Sequence, residues 1–173
     1  MSKRTVNVRE LCFLALMAAV LFVQETLLSS LPNIQLTVML LMVYAATVGI
    51  SKAALVMTVH VLLDNLLWGS MSPTNLFPMW FGWFSVLVIG FLLRNRSLGW
   101  LVSGAVLGSV LYILIYAVVQ CRVFRLDLAT YLVTGLLFEI LLCCSSAITV
   151  AFLYQPAEKL LKRFYSRAVG SCK

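Results

Sequence analysis

Charged side chains are scarce in this chain: Lys, Arg, Asp and Glu make up 11% of 173 residues, against 62% hydrophobic. A soluble domain carries about a quarter charged residues and roughly half apolar ones, so no water-facing surface can be built from this composition. A single histidine, His60, excludes a multi-histidine metal site. The five cysteines (Cys12, Cys121, Cys143, Cys144 and Cys172) are odd in number and lack metal-ligand spacing. They read as small hydrophobes inside apolar segments. No Walker A loop is present, so the chain itself hydrolyses no ATP, and the GxSxG and HExxH signatures are missing as well. No enzyme activity, metal or cofactor is expected. Also missing is the strand alternation of a lipid-facing barrel, which leaves helices as the spanning structure.

What is there is a series of long apolar runs. Six are separable, near 10–30, 34–50, 53–69, 78–93, 98–120 and 128–155. The breaks fall at Pro32-Asn33, at Gly49 to Lys52, at Ser70 to Pro73 with Pro78, at Arg94 to Ser97, and at Arg122 to Asp127. The expectation is an all-α integral membrane protein with six transmembrane helices. The sixth run outlasts the roughly 20 residues a bilayer needs and must tilt or protrude.

With the N-terminus in the cytoplasm, Lys3, Arg4, Arg9, Lys52, Arg94, Arg96, Lys159, Lys162, Arg163, Arg167 and Lys173 lie inside, and only Arg122 and Arg125 lie outside. That bias places both termini in the cytoplasm. It also reads the net charge of +7 as a topology signal rather than a nucleic-acid surface. The first run, which has no small-residue cleavage site after it, is expected to be retained rather than cleaved as a signal peptide. Residues 1–155 are expected to form one transmembrane domain. The tail 156–173, with AEKLLKRFYSRA placing Leu160, Leu161 and Phe164 against basic residues, reads as a short amphipathic helix on the cytoplasmic membrane face.

Polar residues inside the runs are the informative ones. In HVLLDNLLWG, His60, Asp64 and Trp68 recur at one-turn spacing and share a helix face, with Asn65 beside it. Gln24 and Glu25 fall in the outer part of the first run. Tyr112, Tyr116 and Gln120 make a stripe in the fifth, and Glu139 shares a face with Tyr131 and Gly135 in the sixth. A charged side chain at the bilayer centre costs about 2.5–3.5 kcal/mol even on the lenient insertion scale. The three carboxylates therefore point to an outward-facing polar cavity, rimmed by the aromatic cluster of Phe77, Trp80, Phe81 and Trp83. Structural alternatives stand beside this reading: a His60–Asp64 packing pair, Glu25 reaching the interface, and an aromatic belt at headgroup level. The expected substrate-binding residues are Glu25, His60, Asp64, Asn65, Trp68, Trp80, Tyr112, Tyr116 and Glu139.

In LALMAAVLF of the first run, Ala15 and Ala19 form a small-xxx-small face with Ala18 adjacent, and Gly104 and Gly108 offer a second such face. About 170 residues, six short spans and both ends inside resemble the substrate-binding S components of energy-coupling factor (ECF) vitamin transporters. In that family an AxxxA face on the first helix docks on the transmembrane coupling subunit, so the resemblance assigns Ala15, Ala18 and Ala19 to docking. SSLPNIQLT likewise looks like the segment that leads from helix one into helix two and helps cover the ligand. The resemblance implies a non-catalytic capture subunit in a prokaryotic cytoplasmic membrane, binding a vitamin-like compound from outside and working with a coupling subunit and two cytosolic ATPases. With carboxylates outnumbering cations inside the runs, a neutral or cationic ring compound suits the site better than a phosphorylated one. The competing reading is a scaffold resembling MreD of the cell-shape machinery, which shares an aspartate-to-glycine stretch like LLDNLLWG and needs no ligand. An intramembrane enzyme using His60 and Asp64 as acid and base is possible on spacing, but lacks a nucleophile.

Overall fold

The structure is a computed structural model that describes residues 8–31, 33–67 and 71–170. The described residues form six helices: α1 (Val8–Leu28), α2 (Thr37–Val48), α3 (Ile50–Leu67), α4 (Pro73–Leu93), α5 (Leu98–Phe124) and α6 (Leu128–Gly170). All except α2 are long and apolar enough to cross a membrane. The outward surface is studded with large apolar side chains, Leu16, Leu27, Val133 and Phe152 among them. In water such a surface would drive aggregation; against lipid tails it costs nothing.

α2 departs most from expectation. The apolar run over 34–50 reads as a full span, yet the helix has 12 residues, about 18 Å at 1.5 Å per residue. That is well short of the roughly 30 Å hydrocarbon layer. α2 is also the axis of the bundle, touching all five other helices, and Val38, Leu41, Met42, Val43, Tyr44 and Ala45 are all buried. Because the axial helix is short, residues 29–31 and 33–36 lie outside helical structure between α1 and α2.

Two glycines set α2 in place. Gly49 sits at φ +84° and ψ 161°, a region closed to residues with a Cβ, and it lets α2 turn directly into α3. Gly90 of α4 lies so close to α2 that a Cβ there would stand 2.6 Å from the Cα of Met42. The Gly104 and Gly108 face lets α4 approach closely inside the bundle, where it meets Leu93, Ile89 and Val86.

α4 begins at Pro73 rather than near residue 78, because Ser72 accepts the Thr74 N–H and Pro73 is tolerated in a first turn. Pro78 then lies within the helix, where its missing N–H frees the carbonyl of Thr74. Gln120 of α5 donates to that carbonyl at 3.3 Å and to Asn75 Oδ1 at 3.0 Å, and the Tyr116 hydroxyl also reaches Asn75 Oδ1. The α5 stripe thus repairs the break in α4.

α6 runs through Pro156 without interruption, so the expected separation of a tail at 155–156 is corrected to one continuous helix. Tertiary packing holds it: Tyr154 is buried, and Ala157, Leu161 and Tyr165 pack on the core. Leu161 thus faces inward, while Leu160 and Phe164 remain exposed. Lys52 contacts Glu10 and lies 2.6 Å from the Tyr165 hydroxyl, which donates to Glu10 Oε1 at 2.8 Å. This cluster ties α1, α3 and the α6 extension together at the end of the bundle away from residues 29–36.

Candidate functional site

Beyond the N-terminus of α2 the bundle encloses a cavity of about 780 Å³. Its floor and walls come from Glu25 of α1, Asp64 of α3, Trp83 of α4, Tyr112 and Tyr116 of α5, and Tyr131 and Glu139 of α6. Residues 28–35 close one side through Leu28, Asn33 and Gln35. The shortness of α2 is what makes the room, since five longer helices converge where the axial one has stopped.

The covering segment is held by side chains. Gln24, buried, accepts the Leu36 N–H at 2.9 Å and donates to Thr37 Oγ1 at 2.7 Å. Asn33 donates to the Phe138 carbonyl at 2.9 Å, and Ser145 Oγ bridges the N–H and carbonyl of Gln35 at 3.4 and 3.3 Å. The bonds to the Leu36 N–H and to the Gln35 N–H and carbonyl satisfy backbone that helix or sheet would otherwise pair.

Of the residues expected to bind ligand, Glu25, Asp64, Tyr112, Tyr116 and Glu139 line this one cavity, though they come from four helices. His60 lies behind it. Its ring is fully buried, with Nε2 3.1 Å from Glu25 Oε2. The contact has the separation of an ion pair but not the alignment of a hydrogen bond, and both ring nitrogens lack a hydrogen-bond partner. Asn65 is corrected out of the cavity wall: one residue past Asp64, it is turned about 100° around α3. There its amide donates to the Val61 carbonyl at 2.9 Å and to Met79 Sδ at 3.2 Å. Trp80 is corrected likewise, its indole N–H donating to Thr58 Oγ1 at 2.9 Å and its ring stacking on Phe84. It lines a separate apolar groove of about 430 Å³ between α3 and α4, together with Phe77 and Phe81. Trp68 lies outside the described residues.

Trp83 takes the place expected of Trp80. It is 1% exposed, stacks on Tyr112 with centroids 4.1 Å apart, and its indole N–H has no acceptor among the described residues. Asn33, Gln35 and Phe138 are further lining residues; the sequence reading named SSLPNIQLT as a covering segment without singling out its Asn33 and Gln35 amides, and Phe138 carried no signal. Gly135 leaves room for the Glu139 carboxylate, whose Oε1 would lie 3.2 Å from a Cβ at that position.

Among the described residues no lysine or arginine lines the cavity. Among the described residues there is also no cluster of three or more His, Cys, Asp or Glu side chains placed to hold a metal ion. The arrangement offers stacked aromatic faces, hydroxyl and amide groups, and carboxylates. No family model, curated protein or solved structure matches this chain.

On α1, Ala15 and Ala19 are exposed, whereas Ala18 is 4% exposed and packs into the core. The expected docking face is therefore split, with two alanines outside and one inside.

Proposed function

We propose that the chain is the substrate-binding membrane subunit of an ECF-type importer, capturing a small polar ring compound and delivering it with a coupling subunit and two cytosolic ATPases. The observation that carries this reading is the 780 Å³ cavity, in which carboxylates and aromatic rings from five separate helices face one space under a side-chain-tethered cover. A ligand-free scaffold has no use for such a volume, and a helix bundle normally fills its interior.

In this reading all six helices pass the membrane, α2 completing its pass with the irregular segment 29–36. Such backbone is tolerated at membrane depth where it lines a cavity. Arg9, Lys52, Arg94, Arg96 and the basic residues of the α6 extension gather at the end opposite the cavity, which supports a cytoplasmic placement for that end and an external one for the site. The open Ala15 and Ala19 face supplies a surface on which another helix can approach closely.

The test is to purify the protein in mild detergent from cells grown in rich medium, denature it, and identify released compounds by mass spectrometry against a mock purification. A near-stoichiometric small ring compound is the expected result. A blank, together with no ligand-dependent change in thermal stability across a vitamin panel, overturns the proposal.

A further inference from the structure

The chain has six acidic residues, all of them described, and four have a partner. Glu10 meets Lys52 and Tyr165. Glu158 pairs with Lys162 at 2.7 Å. Asp127 accepts the N–H and hydroxyl of Thr130 at 2.8 and 2.9 Å. Glu25 sits 3.1 Å from His60. The two that remain, Asp64 and Glu139, have neither a hydrogen bond nor an ion pair among the described residues, and both line the same cavity. They stand on α3 and α6, facing one volume from two sides.

A second, independent feature lies between them. Trp83 and Tyr112 form a stacked aromatic pair in the cavity wall, with Tyr116 tilted beside them at 6.0 Å. The Trp83 N–H is a buried donor without an acceptor. Aromatic faces attract cations, and most strongly where water is excluded. Among the described residues the basic side chain behind the cavity is His60, which is already engaged with Glu25 and is shielded from the space by complete burial.

Resting on the capture reading above, we propose that the cavity selects a flat organic cation, with Asp64 and Glu139 as its counter-charges and the half-buried rings of Tyr112 and Tyr116, backed by the buried Trp83, as its aromatic surface. Glu25 has a different part, holding its carboxylate against His60 rather than against the ligand. A ligand with a phosphate or carboxylate in place of the positive group meets two unpaired like charges and is rejected.

The inference is tested on the full chain in nanodiscs of zwitterionic lipid by isothermal titration. The probes are three bicyclic compounds of matched outline: N-methylquinolinium (a cation), its neutral quinolone counterpart, and naphthoate (an anion). The cation is expected to bind about tenfold or more tighter than the quinolone, with naphthoate weakest. In Asp64→Asn/Glu139→Gln that ratio should fall to about one, because shape is kept and only charge is lost. Should the double variant lose helicity, the single Glu139→Gln variant serves, since Glu139 holds no structural bond among the described residues; it should reduce the ratio of cation to quinolone affinity. Binding of all three probes with no cation preference, or a preference that survives in the variants, overturns the charge assignment and leaves the capture reading standing. Failure of every probe to bind up to about 1 mM overturns the inference, and only a blank in the mass spectrum then removes the capture reading as well.

Discussion

Gly90→Ala measures how closely α4 presses on the axial helix. The added Cβ would lie 2.6 Å from Met42 Cα and 3.0 Å from its Cβ and Cγ, where ordinary contact begins near 3.4 Å. The obstacle is backbone in a fully buried helix, so no rotamer change relieves it and α2 or α4 must shift. Overpacking of this kind costs about 1–3 kcal/mol. A glycine-to-alanine change inside a helix also gains about 0.5–1 kcal/mol of propensity, which blurs the reading. Gly99→Ala removes that ambiguity, because Gly99 is exposed, helical and has nothing within 4 Å of its added Cβ. The difference between the two variants is the collision alone, about 1–3 kcal/mol against Gly90→Ala. Unfolding by SDS titration in mixed micelles, followed by helical circular dichroism, gives both values on one scale. Equal stabilities for the two variants would refute the claim that the α2–α4 approach is closed to a methyl group, and with it the account of how α2 is positioned.

Gly49→Ala has open space around it but keeps φ +84°, so its cost of about 1–3 kcal/mol is purely conformational; an unchanged SDS midpoint would mean the α2–α3 junction is not held in this geometry. Ala18→Trp should destabilise the fold because that position is buried, whereas Ala15→Trp and Ala19→Trp should leave unfolding unchanged while abolishing capture of the coupling subunit; a pull-down that still succeeds with both exposed variants removes the docking face. Gln24→Leu keeps the side-chain volume but strands the Leu36 N–H, while the Thr37 hydroxyl keeps its bond to Gln35, a loss of about 1–3 kcal/mol; it should show as faster amide exchange at Leu36, and unchanged exchange there would count against the tether. The Thr130 backbone N–H, and then its hydroxyl, hold the Asp127 carboxyl below its ordinary value. The cap it makes on α6 is therefore complete at neutral pH and is lost only as pH falls below about 4. The Thr130 amide shift, followed by NMR, should titrate with a midpoint below about 3.9, and a midpoint above that would refute the cap.

Helix content and the candidate cavity residues were legible in the sequence because both depend on composition and one-turn spacing. Asp64, Glu25 and Glu139 announce themselves as carboxylates in apolar runs, and such groups are driven toward a common polar space wherever the helices permit one. The choice between Trp80 and Trp83 was not legible. Both are apolar enough to face lipid or interior, and the decision rests on which side of α4 meets α5, a matter of packing against Gly82 and Tyr112. The start of α4 was misread because Pro78 looks like a boundary, while its repair by Gln120, 42 residues further on, is a tertiary event. The length of α2 was hidden for a similar reason: IQLTVMLLMVYAATV carries only Gln35, Tyr44 and two threonines among apolar residues, and nothing local says that Gln24 will take the Leu36 N–H and hold the first residues out of the helix.

The shortness of α2 and the unpaired carboxylates are two sides of one arrangement. A full-length axial helix would fill the space beyond Thr37 and leave Asp64 and Glu139 facing packed side chains, where two unpaired charges are not tolerable. Ending α2 early opens that space, at the cost of non-helical backbone that must find hydrogen bonds elsewhere. Gln24 supplies them on the inner side of the segment, from a buried position and with bonds of 2.7 and 2.9 Å. On the outer side the ties are the exposed Asn33–Phe138 bond and the long Ser145–Gln35 contacts at 3.3 and 3.4 Å. The cover is thus firmly hinged at its α2 end and lightly held against α6. In the capture reading, a ligand entering beside Glu139 has only those outer contacts to displace, while the axial helix and the Trp83–Tyr112 wall stay where the core holds them.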